Sequence, residues 1–260
     1  MPSTSINNNT TIVFRVPSTT NNSLSGISCK EYRIPASRLS PTFREQYRSP
    51  GVSGPSITIT LDENTTEHYD IYDFYLNKDT VRSTSEIETY RKKSIAHTLG
   101  ESIPYFKKST EMTITPEEAR IDYHNLLACY TLGATLHDHR FQDAVASKLV
   151  TTLRARGTHQ TQLIRLLDAN TIKAIIEQYG TQSPLFLLLV AAYARFASVN
   201  DIGTLAFSSV SGSFKSHVLK EMAGLRAKQH IDGVGAPDFV VSECRFHGHD
   251  FYAPCSLRRR

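Results

Sequence analysis

The chain has 260 residues, 40% hydrophobic and 21% charged, a near-average globular composition with enough apolar surface for a substantial core. Its 29 basic and 25 acidic residues leave a net charge of +4, ending in Arg258, Arg259 and Arg260, so no nucleic-acid surface is implied. Four scattered cysteines (Cys29, Cys129, Cys244 and Cys255) exclude a small disulfide scaffold and point to reduced thiols in an intracellular protein, cytoplasmic or nuclear.

Met1 to Thr10 is polar, lacks the basic start and apolar stretch of a secretory signal, and reads as a disordered tail. Order is expected from Thr11. Ile12, Val13, Phe14 and Val16 form a β-prone run closed by Pro17, and the polar stretch through Gly26 reads as a turn. Ile27 to Ile34 is the returning strand of a hairpin, with Tyr32 and Ile34 on one face. Pro35 to Tyr47 reads as a short helical pair in which Leu39, Phe43 and Tyr47 share a side and Pro41 breaks the pair or opens its second helix. Ile57, Ile59 and Leu61 alternate with threonines, as in a half-buried strand. Asn64 and Glu67 suggest the start of a helix carrying Tyr69, Tyr72 and Leu76, an aromatic face that reads mostly as core.

From about residue 77 to 114 the apolar pattern weakens, which predicts a polar insertion that is partly helical at most. Thr115, Pro116 and Glu118 then combine a capping hydroxyl, a first-turn proline and a reciprocal carboxylate. The helix they open presents Tyr123, Leu126, Leu127 and Tyr130 on one face, with Gly133 near its end, and a second helix carries Phe141, Val145, Leu149 and Leu153. Further helical segments follow around Leu163 to Leu167, Ile172 to Tyr179, Leu185 to Phe196 and Phe214 to Lys228. The run Leu185 to Tyr193 is about half of the ~20 residues that a membrane-spanning helix needs, so it reads as a buried helix and no membrane partner is expected. The element order is that of an α+β domain at 11–153, followed by a helical extension at 158–230 and a tail at 231–260.

The stretch Leu127-Ala128-Cys129-Tyr130-Thr131-Leu132-Gly133-Ala134-Thr135-Leu136-His137-Asp138, running into Phe141-Gln142-Asp143-Ala144, resembles the fourth and fifth helices of the BTB/POZ domains of filamentous fungi. Tyr32-Arg33-Ile34-Pro35, Leu39-Ser40-Pro41-Thr42-Phe43 and Glu67 to Leu76 are similar to that family's second strand, first helices and third helix. The resemblance covers about residues 11–150. It implies a BTB/POZ-like fold, a non-enzymatic protein-binding role as an adaptor or homodimer, and an interaction surface at Phe14, Val16, Leu39, Tyr69 and Tyr72. Many members recruit a cullin through a hydrophobic-x-Glu step before the third strand. Ser49 to Ser56 contains no glutamate here, so strong cullin binding is not expected.

Other chemistry in the chain has simpler explanations. Cys244, His247, His249 and Cys255 form a weak zinc motif without Cys-x-x-Cys or His-x(3–5)-His spacing, and the expectation is a tail without metal. An alternative is a zinc-binding or transcription-linked regulator using that cluster and the terminal arginines. Asp138 between His137 and His139 reads as a helix cap before Phe141. Ser211 and Ser213 lack a nucleophile elbow, and phosphate-loop and dinucleotide glycine patterns are absent. No cofactor or active site is expected.

Overall fold

The computed structural model describes residues 11–17, 29–39, 41–46, 56–60, 66–98, 115–154, 158–232 and 246–247. The expectations for residues 1–10, for 99–114 and for most of 231–260 lie outside the described residues. The chain divides into two compact units, Met1–Gly100 with Asn125–Gln142, and Glu101–His124 with Asp143–Arg260. The helices on either side of Asp138, Pro116–Thr135 and His139–Arg154, each run through that division.

The first unit is α+β. Strand β1 (Thr11–Pro17) pairs antiparallel with β2 (Cys29–Pro35), placing Ile12 opposite Ile34 and Phe14 opposite Tyr32. Strand β3 (Ser56–Thr60) lies parallel to the other edge of β1, giving the order β2-β1-β3. As the central strand, β1 buries Ile12, Val13, Phe14 and Val16, whereas β2 alternates buried Tyr32 and Ile34 with exposed Glu31 and Arg33. A 3-10 turn at Ala36–Arg38 leads into α1 (Pro41–Gln46), whose first residue is the proline. Helix α2 (Thr66–Lys78) lays Tyr69, Ile71, Tyr72, Tyr75 and Leu76 into the core. There the Phe14 ring lies 6.0 Å from Phe43 and 5.7 Å from Tyr69, which is itself 5.8 Å from Tyr32.

Within the expected insertion, Thr84–Thr98 forms a regular helix, α3. Its start is a capping box: the Ser83 N–H donates to Glu86 Oε2 at 2.9 Å and the Glu86 N–H donates to Ser83 Oγ at 3.5 Å. It buries Ile87, and polar contacts add to its anchorage. Asn125 Nδ2 donates to Thr84 Oγ1 at 2.8 Å, and Arg91 reaches Asp70 on α2 at 3.3 Å. The sparse apolar pattern is thus the mark of a helix held largely by its cap and charges.

Helices α4 (Pro116–Thr135) and α5 (His139–Arg154) follow. The start of α4 carries the expected box, with Thr115 N–H on Glu118 Oε2 at 2.8 Å and Glu118 N–H on Thr115 Oγ1 at 3.2 Å. The second unit continues as α6 (Thr158–Leu166), α7 (Ala169–Tyr179), α8 (Pro184–Phe196), α9 (Val199–Phe207) and α10 (Gly212–Asp232). Helix α8 is the expected buried helix and packs against α6, α7 and α10. Phe214 lies 5.9 Å from Phe186 and 5.7 Å from Tyr193, ring to ring. No helix among the described residues is long and apolar enough to cross a membrane.

Candidate functional site

The site is built where α4 gives way to α5. At the end of α4 the N–H of Asp138 donates to Gly133 O at 2.8 Å and that of His137 to Ala134 O at 3.0 Å, closing the helix in a Schellman turn. The residue in the left-handed position is His137, at φ 48°, where glycine is usual. Asp138 then opens α5: its Oδ1 accepts the Phe141 N–H at 3.0 Å, the capping role expected from the sequence. Its other oxygen accepts the hydroxyl of Tyr72 from α2, also at 3.0 Å. Burial and then the Asp138 carboxylate push the Tyr72 hydroxyl well above the ordinary tyrosine range, so it stays a donor.

Close packing locks this joint. A Cβ on Gly133 would stand 2.7 Å from Gln142 Cγ and 3.2 Å from Phe141 Cδ1, so glycine lets the start of α5 close onto the end of α4. Gln142 spans the joint, donating through Nε2 to Tyr130 O at 3.3 Å and meeting His139 Nδ1 through Oε1 at 3.0 Å. The Phe141 ring lies 4.8 Å from Tyr72 and 5.0 Å from Tyr75.

In front of the joint lies a cleft of about 540 Å³. One wall is the Ala36–Arg38 turn and α1, contributing Arg38, Leu39 and Arg44. The end of α2 supplies Tyr75, Leu76 and Asp79, and the α4–α5 turn supplies His137 through Arg140. Three arginines and two histidines thus face two aspartates, one of which is spent on Tyr72 and the α5 cap. Asp79 has φ 54°, and it and His137 are the non-glycine residues with left-handed backbone among the described residues. Both line the cleft, as strained backbone often does at binding sites.

The surface that the resemblance implied lies inside the unit. Phe14, Val16, Leu39, Tyr69 and Tyr72 are between 0% and 3% exposed. The reason is that β1 is the central strand and the α2 aromatics close over it, so these side chains form the core instead of an interface. Among them, Leu39 lines the cleft floor. Sequence reading missed Arg38, Arg44 and Arg140, since no local pattern joins a turn, a short helix and the start of α5.

Of the weak zinc candidates, His247 is described: it is buried and its Nε2 lies 2.8 Å from Ser147 Oγ on α5. Cys244, His249 and Cys255 lie outside the described residues. No group of three or more His, Cys, Asp or Glu among the described residues is placed to hold a metal. The Ser147–His247 pair has the letters of a nucleophile and a base. Ser147, however, sits within α5, where neighbouring backbone N–H groups are spent in the helix and cannot form an oxyanion hole. Cys129 is buried, and burial pushes its thiol above the ordinary range, away from reactive thiolate character. Ser211 accepts the Lys215 N–H at 3.2 Å through its carbonyl and the Ser213 N–H at 3.3 Å through its hydroxyl, so it opens α10. No family model matches the chain, and no curated protein or solved structure matches it either.

Proposed function

We propose that this chain is a non-enzymatic protein-interaction module of BTB/POZ type, acting inside the cell as an adaptor or self-associating scaffold. The observation that carries the reading is the joint at Gly133–Gln142. The residues that resemble the family each have a distinct task there: Gly133 admits Phe141 and Gln142, Asp138 caps α5, and Tyr72 from the third-helix segment ties to Asp138. The order of hairpin, short helices, strand, aromatic helix and helix pair supports the same reading. The cleft's composition also suits binding. Its hydroxyl residues, Ser37 and Thr42, make no hydrogen bond to a histidine or carboxylate among the described residues, so no nucleophile is activated there.

The test is light scattering of the purified full chain across a concentration series, together with capture from the source cell and mass spectrometry. Concentration-dependent association, or a stoichiometric protein partner, is expected. A chain that stays monomeric throughout and retains no protein stoichiometrically rejects the reading. Among captured proteins a cullin is not expected, because the hydrophobic-x-Glu step is missing from Ser49 to Ser56. Co-purification of a cullin at sub-micromolar affinity, abolished by substitutions in the Thr66–Lys78 helix, would restore a ligase-adaptor role.

A further inference from the structure

We propose that the cleft beside the α4–α5 turn is a docking site for an acidic peptide segment of a protein partner, read through its carboxylates by Arg38, Arg44 and Arg140. This rests on the protein-interaction reading above and adds the chemistry of the partner.

The arginines of the first unit fall into two groups. Arg15 and Arg33 are bonded to Glu31 at 2.9 and 3.3 Å, Arg91 is bonded to Asp70 at 3.3 Å, and Arg82 lies over the Phe74 and Tyr90 rings at 5.3 and 5.1 Å. Arg38, Arg44 and Arg140 come from three separate elements, line one cleft, and have no ion pair or hydrogen bond among the described residues. The cleft's own carboxylates, Asp79 and Asp138, are fewer than its arginines, and such an excess of positive charge attracts an anion. Arg44 adds a more specific sign: its Nε is shielded from solvent and meets no acceptor among the described residues. A buried donor left in that state costs about 1–3 kcal/mol, so an acceptor supplied by a ligand would be favoured at this position.

The cleft favours carboxylates on a peptide over a lone phosphate. Phosphate sites draw on free backbone N–H groups at a helix start or a glycine-rich loop. Here the start of α5 is already capped by the Asp138 carboxylate, so its N–H groups are not open to a phosphate. Arginine forks match planar carboxylates in two-pronged contacts, and their separation over three elements suits several anionic groups along an extended chain. Leu39, Tyr75 and Leu76 between them supply apolar floor for the methylene stems of glutamates.

The experiment is fluorescence anisotropy of the full chain with labelled hexaglutamate, using labelled hexaglutamine as the neutral comparison. Saturable binding of hexaglutamate only is expected. Arg38 and Arg140 are exposed, so Arg38→Glu and Arg140→Glu leave the fold intact and should each weaken binding by about tenfold. Arg165→Glu, the same charge change at an exposed position on α6, should leave binding unchanged. Absence of saturable binding, or equal weakening by Arg165→Glu, overturns the proposal. So does displacement of hexaglutamate by inorganic phosphate at matched negative charge, which would mean a general anion site. If the chain associates or captures a partner yet ignores hexaglutamate, this inference alone falls. If hexaglutamate binds through Arg38 and Arg140 while association and capture fail, the cleft assignment stands and the broader reading falls.

Discussion

The two units differ in how distant parts of the chain are joined. In the first, polar side chains cross the core: the Tyr72 hydroxyl reaches Asp138 at 3.0 Å, and the Tyr32 hydroxyl reaches Asp70 at 2.7 Å, where Lys30 and Arg91 also bind. In the second, apolar packing around α8 carries more of that work and most polar contacts among the described residues are local, the Ser147–His247 bond at 2.8 Å being a long-range exception. Asp168 caps α7 by accepting the Thr171 N–H at 2.7 Å, Ser183 caps α8 through the Phe186 N–H at 3.2 Å, and Ser198 with Asp201 boxes α9. Buried polar links are directional, so they set geometry closely and penalise the loss of either partner. Apolar packing tolerates more variation. The unit with the demanding links is the one that carries the cleft.

The largest test removes an aromatic from each core. Phe141→Ala and Phe186→Ala should each cost about 3–5 kcal/mol, since both rings are buried among other rings. Hydrogen exchange followed by mass spectrometry should show protection lost most in α2 and residues 125–142 for the first substitution and in α8 and α10 for the second. Equal loss in both units from either change would dissolve the distinction.

Asp138→Ala comes next. It removes the α5 cap and leaves the Tyr72 hydroxyl buried without its acceptor, at a cost of about 2 kcal/mol by denaturant titration. Adding Tyr72→Phe should recover part of that loss, because it removes the orphaned hydroxyl. A double variant in which the two losses simply add would show that the link is not energetically coupled.

A smaller effect concerns acid stability. Burial works against the charged Asp70 carboxylate, but hydrogen bonds from Lys30, Tyr32 and Arg91 outweigh it and hold the group below the ordinary aspartate range. The link therefore stabilises the fold above the ordinary aspartate pKa, and its contribution fades as pH falls through the lower folded value. Asp70→Asn should cost about 1 kcal/mol at neutral pH, with the difference from the parent chain vanishing in acid. The difference curve is the measurement to read, because burial raises Asp73, one turn away, and gives the opposite slope. A difference that is constant with pH would remove the charge from the explanation.

The smallest expected change is a gain. His137 holds a left-handed backbone that glycine adopts without strain, so His137→Gly should stabilise by about 0.5–1 kcal/mol in thermal unfolding. A loss instead would mean that the imidazole makes a contact worth more than the strain.

Much of the second unit was legible in the chain order of its residues. Ser183-Pro184 before Leu185, and the apolar periodicity of α7 and α10, are local signals, and local hydrogen bonds realise them. Helix α9 is not among the expected helices although Ser198 and Asp201 spell a capping box, and α3, opened by Ser83 and Glu86, falls within the segment read as partly helical. Over segments so short or polar, apolar periodicity is a weaker signal than the cap. The hairpin, the Thr115–Glu118 start and the Asp138 cap were also readable, because each joins residues within a few positions or through a simple alternation.

What the sequence determined by itself is therefore the set of elements: hairpin, aromatic helix, capped helix pair and helical extension, since each follows from local periodicity and turn chemistry. Tertiary structure set how completely the aromatic residues are enclosed. A central strand covered by α2 encloses Phe14 and Val16 together with Tyr69 and Tyr72, whose core face the helical spacing already suggests, whereas the depth of burial depends on the sheet order. It likewise brought Arg38, Arg44 and Arg140 to one cleft, because their separation of up to about a hundred positions is bridged only when α2 ties to Asp138 and α5 closes over Gly133.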